Sequence, residues 1–331
     1  EQSPKITGVA LEKWTENITY RIVSGDTATN VNDSLTLSIE GTGNYTGEVT
    51  VQWSITPRVV TAPAIELSGT EFTYTGNAIE PTVILKDGAV VIPEGEYTVE
   101  YSNNTNAGTA TVTVTNKDGG NYTVSGSTTF EIQKADPTVT EAPAANNLTY
   151  SGSAQALVTA GTASGGKMQY RLGESGNFST DIPTAKDAGT YKVYYMVKGD
   201  SNHKDTGAVE LTVTINKAAL TDVSVVQNGT LTYNGSAQTA TVTESATAKG
   251  GQSVTFTYSA TENGTFNAAV PSFTNAGTHT VWYKAEANNH EAESGSFTVS
   301  IAAKAVNATI ELSGTEFTYT GSAIEPTATV K

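Results

Sequence analysis

The chain repeats itself, and that internal copying limits its fold more than any other property. Phe72-Thr73-Tyr74-Thr75-Gly76-Asn77-Ala78 returns as Leu148-Thr149-Tyr150-Ser151-Gly152-Ser153-Ala154. It returns again as Leu231-Thr232-Tyr233-Asn234-Gly235-Ser236-Ala237 and as Phe317-Thr318-Tyr319-Thr320-Gly321-Ser322-Ala323. A second anchor, Asn106-Ala107-Gly108-Thr109, recurs as Asp187-Ala188-Gly189-Thr190 and Asn275-Ala276-Gly277-Thr278. A third, Asn44-Tyr45, recurs as Asn121-Tyr122, Asn202-His203 and Asn289-His290. The anchors keep one order and nearly one spacing, which a disordered chain has no reason to do. A repeat of this length is too long for a solenoid unit and fits a whole small domain.

Between the anchors, apolar and polar residues alternate with period two, the signature of half-buried strands. Tyr191, Val193, Tyr195 and Val197 share one face, and Lys192, Tyr194 and Met196 the other. His279, Val281, Tyr283 and Ala285 face inward in the next copy, opposite Thr280, Trp282 and Lys284. Ala110, Val112 and Val114 do so in the preceding one. The same parity puts Trp53 with Val51 and Ile55, on a core face. Tyr outnumbers Phe 15 to 8, and Thr and Val are plentiful, a composition suited to pleated sheets. No helical period appears. Short antiparallel strands in a unit of this size predict an all-β fold of tandem immunoglobulin-like β-sandwich repeats forming an elongated rod. The expected divisions are 1–57 (the C-terminal part of a repeat), 58–134, 135–217, 218–304, and 305–331 (the N-terminal part of a further repeat). They fall at Pro57-Arg58, Lys134-Ala135, Lys217-Ala218 and Lys304-Ala305. These links are too short and too poor in Gly and Ser to be flexible spacers.

The Thr-Tyr-x-Gly-x-Ala turn, the Lys86-Asp87-Gly88 turn, the run Tyr97 to Gly108 and the closing Asn-Tyr turn together resemble a known family. They are similar to the immunoglobulin-like repeats, including the glycine-rich, mostly-β type, found in tandem in large bacterial surface proteins and adhesins. The resemblance implies a non-catalytic, extracellular or cell-surface protein engaged in cell adhesion, its repeats serving as stalk or spacer and as a binding surface. Asp187-Ala188-Gly189-Thr190-Tyr191 also resembles the tyrosine corner of immunoglobulin domains. Ala110 and His279 hold the tyrosine's place in sister copies, so that bond is expected in one repeat only. The partial ends are in matching register: Lys331 stands where Lys86 stands, and Lys5 opens at the same place. Residues 305–331 and 5–57 together spell one repeat, which points to head-to-tail self-association by strand addition. Trimming of a longer chain explains the same ends equally well.

Other functional classes find little support. The net charge of −15, from 18 basic and 33 acidic residues, repels phosphate backbones and anionic lipid, against nucleic-acid or membrane-surface partners. No apolar run is long enough to insert in a membrane, and no secretory leader opens the sequence. Without cysteine, disulfides and thiolate metal sites are excluded. His203 and His290 occupy slots that hold Tyr45 and Tyr122 elsewhere, and His279 takes the slot of Tyr191 and Ala110; this interchange speaks for packing, not catalysis. Glu94, Glu96 and Glu100 cluster in one copy without a counterpart in the fourth, as a solvated face does. No catalytic, cofactor or metal-binding constellation is expected, inter-repeat calcium on isolated carboxylates being the one cation site left open. Asn-x-Thr triplets at Asn17, Asn121 and Asn263 follow from composition and imply no glycan in a bacterial protein. Gly76, Gly152, Gly235 and Gly321 are expected at positive φ. Tyr194 and Trp282, outward on equivalent strands, are the candidate binding residues, suited to stacking on a host glycan or a matrix protein. The alternative functions are a carbohydrate- or host-protein-binding module and a non-catalytic repeat region attached to a secreted enzyme.

Overall fold

The computed structural model describes residues 18–331. Lys5 and Asn17, and with them the start of the expected 1–57 and 5–57 segments, lie outside the described residues. The chain divides into two compact units. The first runs to Ala142 and includes Gly161–Gln169 and Met196–Ala208; the second holds Pro143–Ala160, Tyr170–Tyr195 and Val209–Lys331. Residues 135–217 thus contribute to both. No α-helix occurs among the described residues; the structure is strands, turns and two 3-10 turns.

In the first unit, Tyr20–Ser24, Asn32–Gly41 and Glu48–Ile55 form an antiparallel sheet in chain order. Leu37 lies opposite Val51, and Leu35 opposite Trp53. The repeat that follows is a two-sheet sandwich. Arg58–Val60, Tyr122–Gln133, Gly108–Asn116 and Tyr97–Ser102 lie side by side, with Glu71–Thr73 also on Tyr122–Gln133. Ala64–Leu67, Val83–Asp87 and Val90–Val91 make the facing sheet. Alternation sorts the faces: Ala110, Val112 and Val114 are buried, while Thr109 and Thr115 are exposed and Thr111 and Thr113 only half-buried. They pack with Leu85, Ile92, Phe130 and Ile132 in one core. Burying each such side chain contributes about 1.5–3 kcal/mol. The Tyr97 and Tyr101 hydroxyls donate to the carbonyls of Val83 (3.2 Å) and Pro81 (2.6 Å). Burial raises the pKa of both phenols above 10.0.

In the second unit, Leu148–Thr149 and Val209–Asn216 pair in parallel, and Val209–Asn216 pairs antiparallel with residues 189–195. Further along, Leu231–Thr232, Glu293–Ala302, Gly277–Glu286 and Thr255–Ser259 lie side by side in one sheet. Thr221–Asn228 pairs with Thr241–Thr247, and Val225, Phe256, Tyr258, Val281, Ala285 and Val299 share a buried core. Tyr258 donates to the Glu244 carboxylate; burial first, then that carboxylate, pushes its pKa well above the ordinary tyrosine value. Ile310–Leu312 pairs with Ala328–Val330.

The all-β class and the immunoglobulin-like sandwich repeats are therefore present. The Thr-Tyr-x-Gly glycines behave as expected, with φ between 81° and 87° at Gly76, Gly152, Gly235 and Gly321. Trp53 is a correction. It is half-buried, its indole N–H donates to the Gly25 carbonyl (3.1 Å), and its neighbour Val51 is exposed. Parity fixes which face of a strand a side chain takes; only a second sheet turns that face into a core.

Candidate functional site

Tyr194 lies on Gly189–Gly199 and Trp282 on Gly277–Glu286, in separate sheets. The Tyr194 hydroxyl donates to the Glu210 carboxylate, and the Arg171 guanidinium sits 4.9 Å from its ring centre, held also by Phe178 at 4.8 Å. One face of Tyr194 is therefore taken by a cation–π contact within its own repeat. The hydrogen bond to Glu210 raises the tyrosine pKa and lowers that of the carboxylate. Trp282 is half-buried and stands opposite Ser296 on one side and Ser259 on the other.

The most elaborate geometry occurs where consecutive repeats meet, and it is built from two sequence anchors. Each repeat starts by pairing with its own closing turn. Arg58, Ala135 and Ala218 donate their N–H groups to the carbonyls of Asn121 (2.9 Å), Asn202 (3.0 Å) and Asn289 (3.0 Å). Ala135 and Ala218 also accept from Lys204 (2.9 Å) and Glu291 (2.8 Å). This fixes the asparagine backbone, and the side chain reaches back into the preceding repeat. Asn121 Oδ1 accepts the Val31 N–H (2.7 Å) while Nδ2 donates to Asn30 Oδ1 (3.3 Å). Asn202 Oδ1 accepts the Ala107 N–H (2.9 Å) and Nδ2 donates to Asn106 Oδ1 (3.1 Å). Asn289 Oδ1 accepts the Ala188 N–H (2.9 Å) and Nδ2 donates to Asp187 Oδ1 (3.0 Å). One two-bond clamp occurs three times. It needs a donor and an acceptor on one short planar group, which the asparagine amide supplies.

The aromatic residue after each asparagine completes the contact. His203 meets the Tyr74 ring edge-on at 5.3 Å, and His290 meets Tyr150 at 5.4 Å. His290 is buried; its Nδ1 bonds the Asn288 carbonyl (2.8 Å) and its Nε2 accepts the Lys249 N–H (2.9 Å). Both histidines thus serve packing. Glu96 is not merely solvated: its carboxylate accepts the Asn121 N–H (2.6 Å) and Nδ2 (2.8 Å), steadying that clamp. Glu94 and Glu100 are exposed. In the second unit, a Cβ on Gly152 would lie 2.4 Å from Gly250 Cα, so backbone meets backbone there. Tyr150 accepts from Gln252 Nε2 at 3.2 Å across the same contact.

The tyrosine corner needs a further correction. Tyr191 donates to the Asp187 carbonyl (2.7 Å), as its motif suggests, but His279 Nε2 bonds the Asn275 carbonyl (2.9 Å) at the same spacing. Stacking on Phe273 at 4.2 Å holds that imidazole in place. Histidine therefore substitutes for tyrosine in this bond, which is not confined to one repeat. Among the described residues, no three His, Asp or Glu side chains gather as a metal site. No helix there is long and apolar enough to cross a membrane.

No protein-family model matches the chain, and no curated protein does. Among solved structures it is similar to the protocadherin gammaB4 extracellular domain, with 12% identity over 88% of this chain and a TM-score of 0.23. It covers 58% of that protein's length. Drosophila N-cadherin EC1-4 aligns at 9% identity over 92% of this chain and 96% of that one, TM-score 0.25. The N-terminal four Ig domains of Dscam1 isoform 7.44 align at 12% over 82% and 80%, TM-score 0.26. Likeness this distant carries no argument about function; the sandwich fold rests on the strand pairing and cores described above.

Proposed function

We propose that the chain is a load-bearing spacer of an adhesion-type protein on a bacterial surface. It is not an enzyme in this reading: the polar contacts described above serve clamps, turns and cross-sheet bonds. The observation that carries the proposal is the parallel pairing of each repeat's first segment with its closing strand. Arg58–Val60 and Glu71–Thr73 both run parallel to Tyr122–Gln133. Ala135 bridges His203 in parallel and Leu148–Thr149 lies along Val209–Asn216. Ala218 bridges His290, and Leu231–Thr232 lies along Glu293–Ala302. Tension applied at the two ends of a repeat loads such parallel strands in shear. All the interstrand bonds then resist together, instead of opening one by one.

Single-molecule pulling from both ends tests this. Rupture of the three complete repeats is expected at the high forces of sheared strands. Ala218→Pro removes the Ala218 N–H donor to Asn289, a loss of about 1–3 kcal/mol, and should weaken one of the three events. Rupture of all repeats at the low forces of peeled hairpins would remove the spacer reading.

A binding role has narrower support, and it rests on Trp282, whose flanking positions are small serines. A bulky ring between small side chains suits stacking on a sugar or a partner surface. Capture of the chain by arrays of host glycans and matrix proteins, lost on Trp282→Ala, would support it; capture unchanged by that substitution would not.

A further inference from the structure

The sequence has three arginines, and their partners differ. Arg21 pairs with Glu40 and Arg58 with Asp87. Arg171, near the end of Gly166–Leu172, pairs with no carboxylate among the described residues. Its guanidinium carbon lies 4.8 Å from the ring centre of Phe178 and 4.9 Å from that of Tyr194, and its Nε is buried with no hydrogen-bond partner. A guanidinium carries five N–H donors, and the folded protein ordinarily satisfies those it encloses. Lys192 draws off the two carboxylates of this network, Glu174 at 3.3 Å and Glu210 at 3.2 Å. Glu210 also accepts the Tyr194 hydroxyl, which pins the ring that carries the cation.

The sandwich does not require a cation at this place. Tyr170 and Tyr258 correspond in successive repeats; both are buried, and they bridge antiparallel to Ser179 and Asn267. Phe178 and Phe266 come just before those bridges, and Tyr194 and Trp282 stand on equivalent strands. In the second of these repeats Ser259 holds the arginine's place, opposite Trp282. Arg171 is thus an addition to a shared scaffold, held in position by aromatic contacts and left without a counter-charge.

We propose that Arg171 anchors a carbohydrate site, one that takes a sugar carrying a carboxylate, either a uronate or a sialate residue. With Nε enclosed, the Nη1–Nη2 edge of the guanidinium receives the two carboxylate oxygens as a fork. Phe178 and Tyr194 hold its plane, so little ordering remains to be done on binding. Glu174, whose side chain is 75% exposed, spends Oε1 on Lys192 and keeps Oε2 for a sugar hydroxyl. A ligand with one anion among several hydroxyl donors matches a cation flanked by acceptors. An acidic peptide brings its carboxylates in runs, which Glu174, Glu210 and the net charge of −15 repel. The site goes beyond the spacer role and stands whether or not the repeats carry load.

Isothermal titration of the whole chain tests this with five probes: sialyllactose, a glucuronate-ended disaccharide, each of these with its carboxyl reduced to the alcohol, and a hexaglutamate peptide. At least one of the two acids is expected to bind, about tenfold or more tighter than its reduced form; which one binds identifies the sugar. Arg171→Lys keeps the charge and loses the fork, and should weaken binding about tenfold. Arg58→Lys, the same change at a paired arginine, should leave it unchanged. Circular dichroism checks that Arg171→Lys is folded, and the comparison of acid with reduced sugar needs no variant at all. Neither acid binding, an acid and its reduced form binding alike, or full affinity in Arg171→Lys would overturn the proposal. Tighter binding of hexaglutamate than of either sugar would overturn it in favour of an acidic protein partner.

Discussion

At the scale of single residues, the junctions rest on groups whose size and geometry leave little choice. Gly152 and Gly235 show this by contrast. They hold equivalent turns with φ of +87° and +83°, yet a Cβ on Gly235 would meet nothing within 4 Å, and one on Gly152 would strike Gly250. Alanine at either site carries the left-handed penalty of about 1–2 kcal/mol. Gly152→Ala must also push two backbones apart, so it should lower stability beyond Gly235→Ala in urea unfolding; equal losses would show that the close approach is not needed. The asparagines are similarly restricted. An aspartate at 289 would keep the acceptor for Ala188 but bring a carboxylate against Asp187, and leucine would keep neither bond. Asn289 also has a positive φ of 63°, a conformation asparagine tolerates better than most residues.

At the scale of elements, strands were the legible part of the sequence. Period two placed Val112, Val114, Val193, Val197, Val281 and Ala285 on inner faces, and all six are buried. Repeated Tyr-x-Gly marked turns whose glycines do adopt positive φ. Trp53 was misplaced because alternation assigns a face and says nothing of what covers it. The clamp stayed hidden for a different reason. Asn202 and Ala107 stand 95 residues apart, and Asn289 and Ala188 stand 101 apart. Each motif, taken alone, reads as an ordinary turn, and nothing local says that one turn binds another. Some turns also carry charge that the fold favours. Asp200 is held below its ordinary 3.8 by the hydrogen bond from His203 and then by the Asn202 N–H. Asp205 is held below it chiefly by Lys198. Folded-state values that are depressed stabilise above the unfolded pKa, and that contribution fades as pH falls through the lower, folded values. Exchange of the Ala135 amide, bonded to Asn202 in this turn, should accelerate relative to its intrinsic rate below about pH 4. Asp205→Asn should flatten that response, and a profile unchanged between pH 5 and pH 2 would refute it.

At the scale of the whole molecule, the acidic excess and the sequence repetition act on different properties. A charge of −15 favours solubility and mutual repulsion, so contact between copies needs an interface specific enough to overcome it. The clamp has that specificity because its two halves differ: an amide that reaches out, and a backbone N–H with a side-chain acceptor that receives it. The amide and its receiver lie in different turns of a repeat, so each of the three clamps joins the closing turn of one repeat to another turn of the repeat before it. Direction is thereby written into every boundary. Duplicating a repeat in the gene would import both halves at once, the new unit fitting its neighbours without a single compensating substitution. Length becomes a quantity that inheritance can adjust in whole steps.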